Sequence, residues 1–574
     1  MRFYLLAFTL LLSTIGGKAY AGSNPAPFIG QPLVPGSVRP GARNITLSVS
    51  GSGFVSGSIV QWNGQALITQ FKNRESLTAA VPASLLAKPV TAIVTVVNPS
   101  PGGGVSNSSF FEVTQPTPSA IMFEIRTNTS APTNSLVAGD FNGDGKLDLA
   151  VSTGSSLSVL LGNGDGTFNV TKFPTTAQFV GTLVAGDFNG DGKLDLAFPD
   201  PYNNLLHLML GNGDGTFSEV STTGVGNNPV WAAAGDFNGD GKLDLAVVNQ
   251  AGRNVSILLG NGNGTFKRTT SVAVGKQPNA VVVADLNGDG ELDLAVVNSG
   301  SNTVSVLLGA GNGTFNLKST PSTGSTPYGI VASDFNGDGK VDLAVTNTCG
   351  NGTTCDPPEF GSVSILMGAG DGTFTVTSRV LTNYHKPLGI AAGDFNADGK
   401  TDLVVVGLTE SSALVLLGDG NGDFRNPIPM NGFAPPFAGY VAVGDFNGDG
   451  RLDFAENNPS DVGGIQAVSV QTQSAVACYP AVVSFPPQPV GTSSPPKDVR
   501  FRNIGTVPVN ISNIQAVGYY GESNNCPVTL PIGSDCTISV TFTPESTDLS
   551  GGLVLVTDDA LGVRQSCGLV GRGK

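Results

Sequence analysis

Histidine, tryptophan and charge are all scarce in this chain. Of 574 residues, two are His, two are Trp, and 13% are charged. General acid–base chemistry mostly recruits His or paired carboxylates. His207 alternates with apolar neighbours over residues 205–210 and reads as strand packing. No nucleophile elbow, His-Glu-x-x-His pair or phosphate-binding loop is present, so enzyme activity is not expected. Basic residues are also few, 29 against 44 acidic, for a formal charge of −15. That balance argues against nucleic acid, which selects a basic face. The apolar run at residues 3–12 is too short to cross a bilayer, and no later stretch is long enough, so no transmembrane segment is expected. With Arg2 before that run and Ala19-Tyr20-Ala21 after it, residues 1–21 read as a signal peptide. The mature protein is expected to be secreted or extracellular, whether surface-associated, periplasmic or free.

Six cysteines in an exported chain point to disulfides. The spacing favours Cys349 with Cys355, Cys526 with Cys536, and Cys478 with Cys567, although six cysteines permit other connectivities. Glycine (78) and proline (37) are plentiful, yet 40% of residues are hydrophobic, which argues against disorder. Strand formers and turn formers dominate, the class is all-β, and the length calls for several domains.

One stretch recurs seven times. Its first copy is Asp140-Phe141-Asn142-Gly143-Asp144-Gly145-Lys146-Leu147-Asp148, and the others begin at Asp187, Asp236, Asp285, Asp334, Asp394 and Asp445. Side-chain oxygens fall at positions 1, 3, 5 and 9, and a glycine at position 6 permits the positive φ of a sharp bend. Position 7 varies among Lys, Glu291 and Arg451, so only its carbonyl is expected to point inward. Hard oxygens at this density suit calcium. The alternative is a polar hairpin turn rich in Asn, Asp and Gly; seven copies that all keep the four oxygen positions favour calcium. Each loop runs into a short β-branched strand such as Leu243-Asp244-Leu245-Ala246-Val247-Val248, where an EF-hand would begin a helix.

A second glycine-rich turn, Gly260-Asn261-Gly262-Asn263-Gly264-Thr265-Phe266 in the third repeat, occurs six times and reads as a hairpin. Four strands per repeat, seven times, make a β-propeller. The seventh repeat lacks the second turn. The strand at residues 121–126 matches the missing register and is expected to complete the last blade. The repeat closely resembles the FG-GAP/VCBS family, whose blades also form the propeller of integrin α subunits. The carrying signatures are Phe-Asn-Gly-Asp-Gly-Lys-x-Asp-Leu-Ala and Leu-Leu-Gly-x-Gly-x-Gly-Thr-Phe.

That resemblance implies about seven structural Ca²⁺ ions. The implied ligands are Asp140, Asn142, Asp144 and Asp148; Asp187, Asn189, Asp191 and Asp195; Asp236, Asn238, Asp240 and Asp244; Asp285, Asn287, Asp289 and Asp293; Asp334, Asn336, Asp338 and Asp342; Asp394, Asn396, Asp398 and Asp402; and Asp445, Asn447, Asp449 and Asp453. Ala397 and Thr401 depart from the pattern in the sixth repeat and suggest looser packing there; Leu286 in the fourth is a milder change. Removal of Arg2 and Lys18 would bring the charge to −17, and seven divalent ions would return it to about −3.

Residues 24–115 alternate strand-like runs with turns and resemble IPT/TIG immunoglobulin-like domains through Gly51-Ser52-Gly53-Phe54, Val60-Gln61-Trp62-Asn63-Gly64, Val81-Pro82-Ala83 and Asn98-Pro99-Ser100-Pro101-Gly102-Gly103. Trp62 is expected in the core between sheets rather than on a ligand platform. Residues 116–120 are a short linker and 121–473 the propeller. Residues 475–574 resemble ASH (hydin-like) domains through Phe501-Arg502-Asn503-Ile504-Gly505 and Cys536-Thr537-Ile538-Ser539-Val540-Thr541-Phe542-Thr543-Pro544. The expected architecture is thus all-β, a seven-bladed β-propeller flanked by two immunoglobulin-like β-sandwiches. The face opposite the acidic loops gathers Tyr202, Trp231, Arg253, Tyr328, Tyr384, His385 and Tyr440. Those rings either bind an extracellular protein or carbohydrate or pack between blades. Three roles remain open: a calcium-stabilised adhesion or binding protein, an architectural surface protein, and a polysaccharide-active enzyme.

Overall fold

The computed structural model describes residues 24–30, 33–88, 90–114, 123–129, 135–349, 361–382, 386–407, 413–429, 439–458, 467–473, 476–479, 482–503, 508–558 and 564–574. The expected signal peptide, the 116–120 linker, Cys355, Tyr384 and His385 lie outside them. Every named element is a β-strand. No helix among the described residues is long and apolar enough to cross a membrane.

Seven four-stranded antiparallel sheets lie between Phe123 and Gln473. They are numbered here by the order of their acidic loops, each of which joins the first strand of a blade to its second. Blade three is representative, with strands Pro229–Gly235, Asp244–Asn249, Asn254–Gly260 and Phe266–Ala273. Its second strand, Asp-Leu-Ala-Val-Val-Asn, is buried at all six positions. A strand covered on one face would alternate with polar residues; this one is covered on both, so its apolar run is continuous. Leu245 and Val247 pack with Ala197, Leu206 and Leu208 of blade two, while Ala246 and Val248 pack with Val281, Leu294 and Val296 of blade four. Each fully buried Leu or Val contributes about 1.5–3 kcal/mol. The fourth strand, at the rim, is mostly exposed.

The same packing occurs at all seven seams between consecutive blades, one apolar cluster for each. The last of these joins Phe446 and Ala455 of blade seven to Leu147, Leu149 and Val151 of blade one, so the ring is closed. Blade seven takes its fourth strand from the start of the domain, as its missing turn leads one to expect. Phe123–Thr129 pairs antiparallel with Ala467–Gln473, with a bulge between Ile125 and Thr127. The borrowed strand covers an edge that would otherwise be open to pairing.

Before the ring, a four-stranded and a six-stranded sheet form a sandwich. Trp62 is 2% exposed in its core, tilted against Phe111 at 5.1 Å. After the ring, a four-stranded and a five-stranded sheet form a second sandwich. Cys478–Cys567 ties one of its sheets to the other, and Cys526–Cys536 closes a shorter loop. Cys349 is also disulfide-bonded, and its expected partner lies outside the described residues.

Candidate metal sites

Each acidic loop is a ladder of side-chain-to-backbone hydrogen bonds. In blade one, Asp140 Oδ1 accepts from the N–H groups of Gly143 (2.7 Å) and Asp144 (3.2 Å), and Oδ2 from that of Gly145 (2.9 Å). Asn142 Oδ1 accepts from Asp144 N–H and Asp144 Oδ1 from Lys146 N–H, both at 2.9 Å. Positions 4 and 6 both take a positive φ, 74° at Gly143 and 80° at Gly145, which is why the pattern reads Asn-Gly-Asp-Gly. In blade six the fourth position is Ala397, held at φ 55°.

The aspartate at position 9 stands apart from the others. It opens the second strand, is fully buried, and grips backbone at two places. Asp148 Oδ2 accepts from Phe141 N–H and Oδ1 from Gly162 N–H, both at 2.8 Å. The second bond reaches the first glycine of the second turn, and it recurs at Gly211, Gly260, Gly309, Gly368 and Gly418. A methyl group on any of these glycines would collide with the position-8 carbonyl of its own acidic loop. The two glycine-rich motifs of a repeat are therefore halves of one junction.

The second turn also ties blades together. Its last glycine donates to the position-2 carbonyl of the preceding blade: Gly215 to Phe141, Gly264 to Phe188, Gly313 to Phe237, Gly372 to Leu286, Gly422 to Phe335, and, across the closure, Gly166 to Phe446, at 2.8–3.3 Å. The rings follow the same path. Phe141–Phe217, Phe188–Phe266, Phe237–Phe315, Phe335–Phe424 and Phe446–Phe168 meet edge-on at 5.3–6.1 Å. Sequence reasoning took the second turn for a plain hairpin. The signal for more was the phenylalanine that recurs in both motifs.

Electrostatically, the loops resist holding their charge. Burial raises Asp148, Asp195 and Asp342 to about 6, and the neighbouring loop aspartates add to it. The same causes push Asp244 and Asp293 up to about 8 and Asp394 up to about 7. Asp402 lies well above its ordinary range, mainly through burial and then through Asp394 and Asp398, with the backbone N–H groups of Gly418 and Asn396 opposing. A divalent cation would relieve these carboxylates. Among the described residues, no three His, Cys, Asp or Glu side chains converge into a ready cage. The donor chemistry fits calcium nonetheless. Each loop offers three carboxylates and an amide oxygen, and a carboxylate engaged by two N–H groups keeps lone pairs for an ion.

The N-terminal sandwich sits on this loop face. Asp236 Oδ2 accepts from Ala26 N–H at 2.8 Å. Ser37 Oγ donates to Ala397 O at 3.2 Å, and Glu112 Oε1 accepts from Leu452 N–H at 2.9 Å. Glu75 lies over the fourth loop, where burial and then Asp285 and Asp289 raise its carboxyl. Glu112 is raised well above its ordinary range by burial and then by Asp394, with the Arg451 guanidinium opposing.

On the opposite face, several of the candidate aromatics turn out to fill the channel. Trp231 belongs to the inner strand of blade three and Tyr440 precedes that of blade seven, yet their rings stack at 5.6 Å across the ring. Burial raises the Tyr440 phenol well above its usual range, helped by the Tyr328 phenol from blade five to which it hydrogen-bonds. Tyr202, 66% exposed and edge-on to Phe179 at 5.9 Å, and exposed Arg253 remain at the surface, in neighbouring hairpins of blades two and three. His207 is buried, as expected of strand packing. It stacks on Phe198 at 5.2 Å, and its Nδ1 lies 2.6 Å from Glu219 Oε1.

A closed ring of seven four-stranded blades, each with an acidic loop at the same junction, defines a β-propeller repeat protein. The FG-GAP-like repeat family matches residues 140–198, 187–247, 236–296, 285–345, 354–405 and 394–455, and the FG-GAP repeat matches 326–366. These matches cover more than half of the chain, which belongs to the FG-GAP repeat family. Five of the six longer matches begin in the acidic loop of one blade and end just past that of the next, so the sequence unit spans a seam. No curated protein matches the chain. Solved structures similar to it include an auxiliary nutrient binding protein from Bacteroides ovatus, at 12% identity over 78% of this chain and 98% of that one, with a TM-score of 0.36. A functionally unknown protein from Desulfotomaculum acetoxidans matches at 12% identity over 58% and 91%, with a TM-score of 0.38. A periplasmic gluconolactonase from Pseudomonas aeruginosa matches at 14% identity over 60% and 85%, with a TM-score of 0.30.

Proposed function

We propose that this is an exported, calcium-binding adhesion or binding protein without catalytic activity. In this reading about seven structural ions brace the propeller, and a protein or carbohydrate ligand docks on the face away from the acidic loops. The observation that carries the reading is the division of the two faces. The loop face concentrates hard oxygen donors and takes contacts from the N-terminal sandwich, while Tyr202 and Arg253 are exposed on the opposite face. The stacked Trp231 and Tyr440 favour a surface ligand over one threaded through the channel. The exposed ring of Tyr202 and the exposed Arg253, in the corresponding hairpin of the next blade, have the amphipathic character that binding surfaces favour. Disulfides within the last sandwich suit an oxidising, non-cytoplasmic compartment. The flanking sandwiches act in this reading as immunoglobulin-like spacers.

Extracellular calcium modules bind with Kd of about 10⁻⁴ to 10⁻³ M. At roughly tenfold excess each site adds about 1.4 kcal/mol. Chelation by EGTA is expected to lower the melting temperature, and native mass spectrometry to count about seven ions. An unchanged melting temperature together with no bound calcium overturns the metal reading. For the ligand, glycan and protein arrays are expected to give a hit that Tyr202→Ala and Arg253→Ala abolish. A hit that neither substitution weakens moves the site elsewhere.

A further inference from the structure

The geometry points to calcium-dependent docking of the N-terminal sandwich: ions in the covered loops, above all the sixth, hold the sandwich on the ring. This rests on the calcium reading above and deepens it. Four loops are touched by the sandwich. Ala26 reaches Asp236 in the third and Glu75 lies over Gly290 in the fourth. Ser37 bonds Ala397 in the sixth, and Glu112 bonds Leu452 in the seventh. Two cavities of about 330 and 320 Å³ remain in the joint, one walled by Asp394 and Glu112, the other by Asp285 and Glu75.

The charges in this joint do not balance. Each covered loop contributes three aspartates. Glu291 sits at position 7 of the fourth, and of the sandwich's charged side chains it is Glu75 and Glu112, not its five bases, that line the two cavities. Against these stand Lys242, Lys400 and Arg451 of the same loops and Lys340 of the fifth, which lines the second cavity. Arg451 is buried beside Glu112 and Asp449, so the seventh loop holds a cation of its own. The sixth has a different feature. Position 9 in the other loops receives an N–H from position 2, whereas in the sixth the backbone N–H of Asn396, at position 3, meets the buried Asp402 carboxylate. Asp402 belongs to the same loop as Asp394 and Asp398, directly under Ser37. Bringing Glu112 against that group without a counter-ion costs Coulomb energy in a poorly screened joint. An ion held by Asp394, Asn396, Asp398 and Asp402 removes the cost, and linkage then requires the docked sandwich to tighten the ion in turn.

The test uses the mature full-length protein, with calcium chloride as the probe. Calorimetry reports binding, small-angle scattering reports compactness, and hydrogen exchange reports the Ala26 and Leu452 amides. With calcium removed, the radius of gyration is expected to rise and both amides to lose protection, while the strand amides of blades one and two keep theirs. Glu112→Gln, which keeps an acceptor for Leu452, is expected to shift the docking midpoint about fivefold or more toward lower calcium. Asp402→Asn is expected to uncouple docking from calcium, whereas Asp148→Asn, in an uncovered loop, leaves the coupling intact. If calorimetry shows binding but scattering and amide protection ignore calcium, the coupling is wrong and the metal reading survives. If calorimetry shows no binding, the metal reading fails first.

Discussion

The seam between blades six and seven is built differently from the other six. Elsewhere a glycine N–H from one blade reaches the loop carbonyl of its neighbour, and in five seams two phenylalanine rings meet beside it. Blade seven has no hairpin between its third and fourth strands, because the fourth comes from Phe123–Thr129. It has no turn glycine to offer blade six. The N-terminal sandwich works at this seam instead, with Phe110 packed against its apolar cluster and Glu112 on the Leu452 amide. A repeat whose fastening is shared between neighbours thus leaves one place in a closed ring where another domain must supply it.

The largest expected effect comes from the buried latch. Asp244→Ala orphans the buried N–H groups of Phe237 and Gly260 and is expected to cost about 4 kcal/mol in denaturant melts. Next, Gly260→Ala drives a methyl group into the Leu243 carbonyl and is expected to cost about 3 kcal/mol; the seventh blade has no counterpart to test.

Acidity gives a third handle, with calcium chelated. The position-9 carboxyls are raised in the folded state, to about 8 at Asp244 and Asp293 and about 6 at Asp148. A raised carboxyl means that the folded state holds its proton more tightly than the unfolded chain does. Its contribution is full below pH 4 and is lost as pH rises through 6 to 8. The chelated protein is therefore expected to melt several degrees higher at pH 5 than at pH 8, and calcium to restore the loss at pH 8. A flat profile would mean that the loops carry no such burden.

Smaller changes probe single seams. Phe237→Leu removes a ring pair and is expected to cost about 1 kcal/mol beyond the area lost. The converse, Leu286→Phe, is expected to be close to neutral or to gain a few tenths of a kcal/mol, since Phe374 of blade five already packs there. Least of all, Ala397→Gly relieves a left-handed alanine and is expected to raise stability by about 0.5–1 kcal/mol. A loss would mean that its methyl group packs usefully against the sandwich.

Much of the ring was legible because its information is local and repeated. Asp-Leu-Ala-Val-Val-Asn declares a strand and the glycine at position 6 a positive φ, while burial on both faces and the second positive φ, at position 4, emerge only in the fold. The absent seventh hairpin even announced the borrowed strand. What was not legible depends on distance across the fold. Nothing near Trp231 says that Tyr440, on the far side of the ring, will stack on it. Nothing near Glu112 names Leu452 as its donor. The position-9 aspartate looked like one more oxygen for a metal, since only the folded hairpin brings Gly162 or Gly260 to its Oδ1.

The strand borrowed by blade seven also sets a timetable. In a chain that leaves the ribosome or a translocon from its N-terminus, Phe123–Thr129 emerges before any blade is made. It must wait, unpaired, until Ala467–Gln473 has followed it out. Six blades can stack progressively in the meantime, but the circle itself has no early partial form. Folding of this protein thus ends with a single late joining event, and anything that occupies the waiting strand beforehand stops the whole ring.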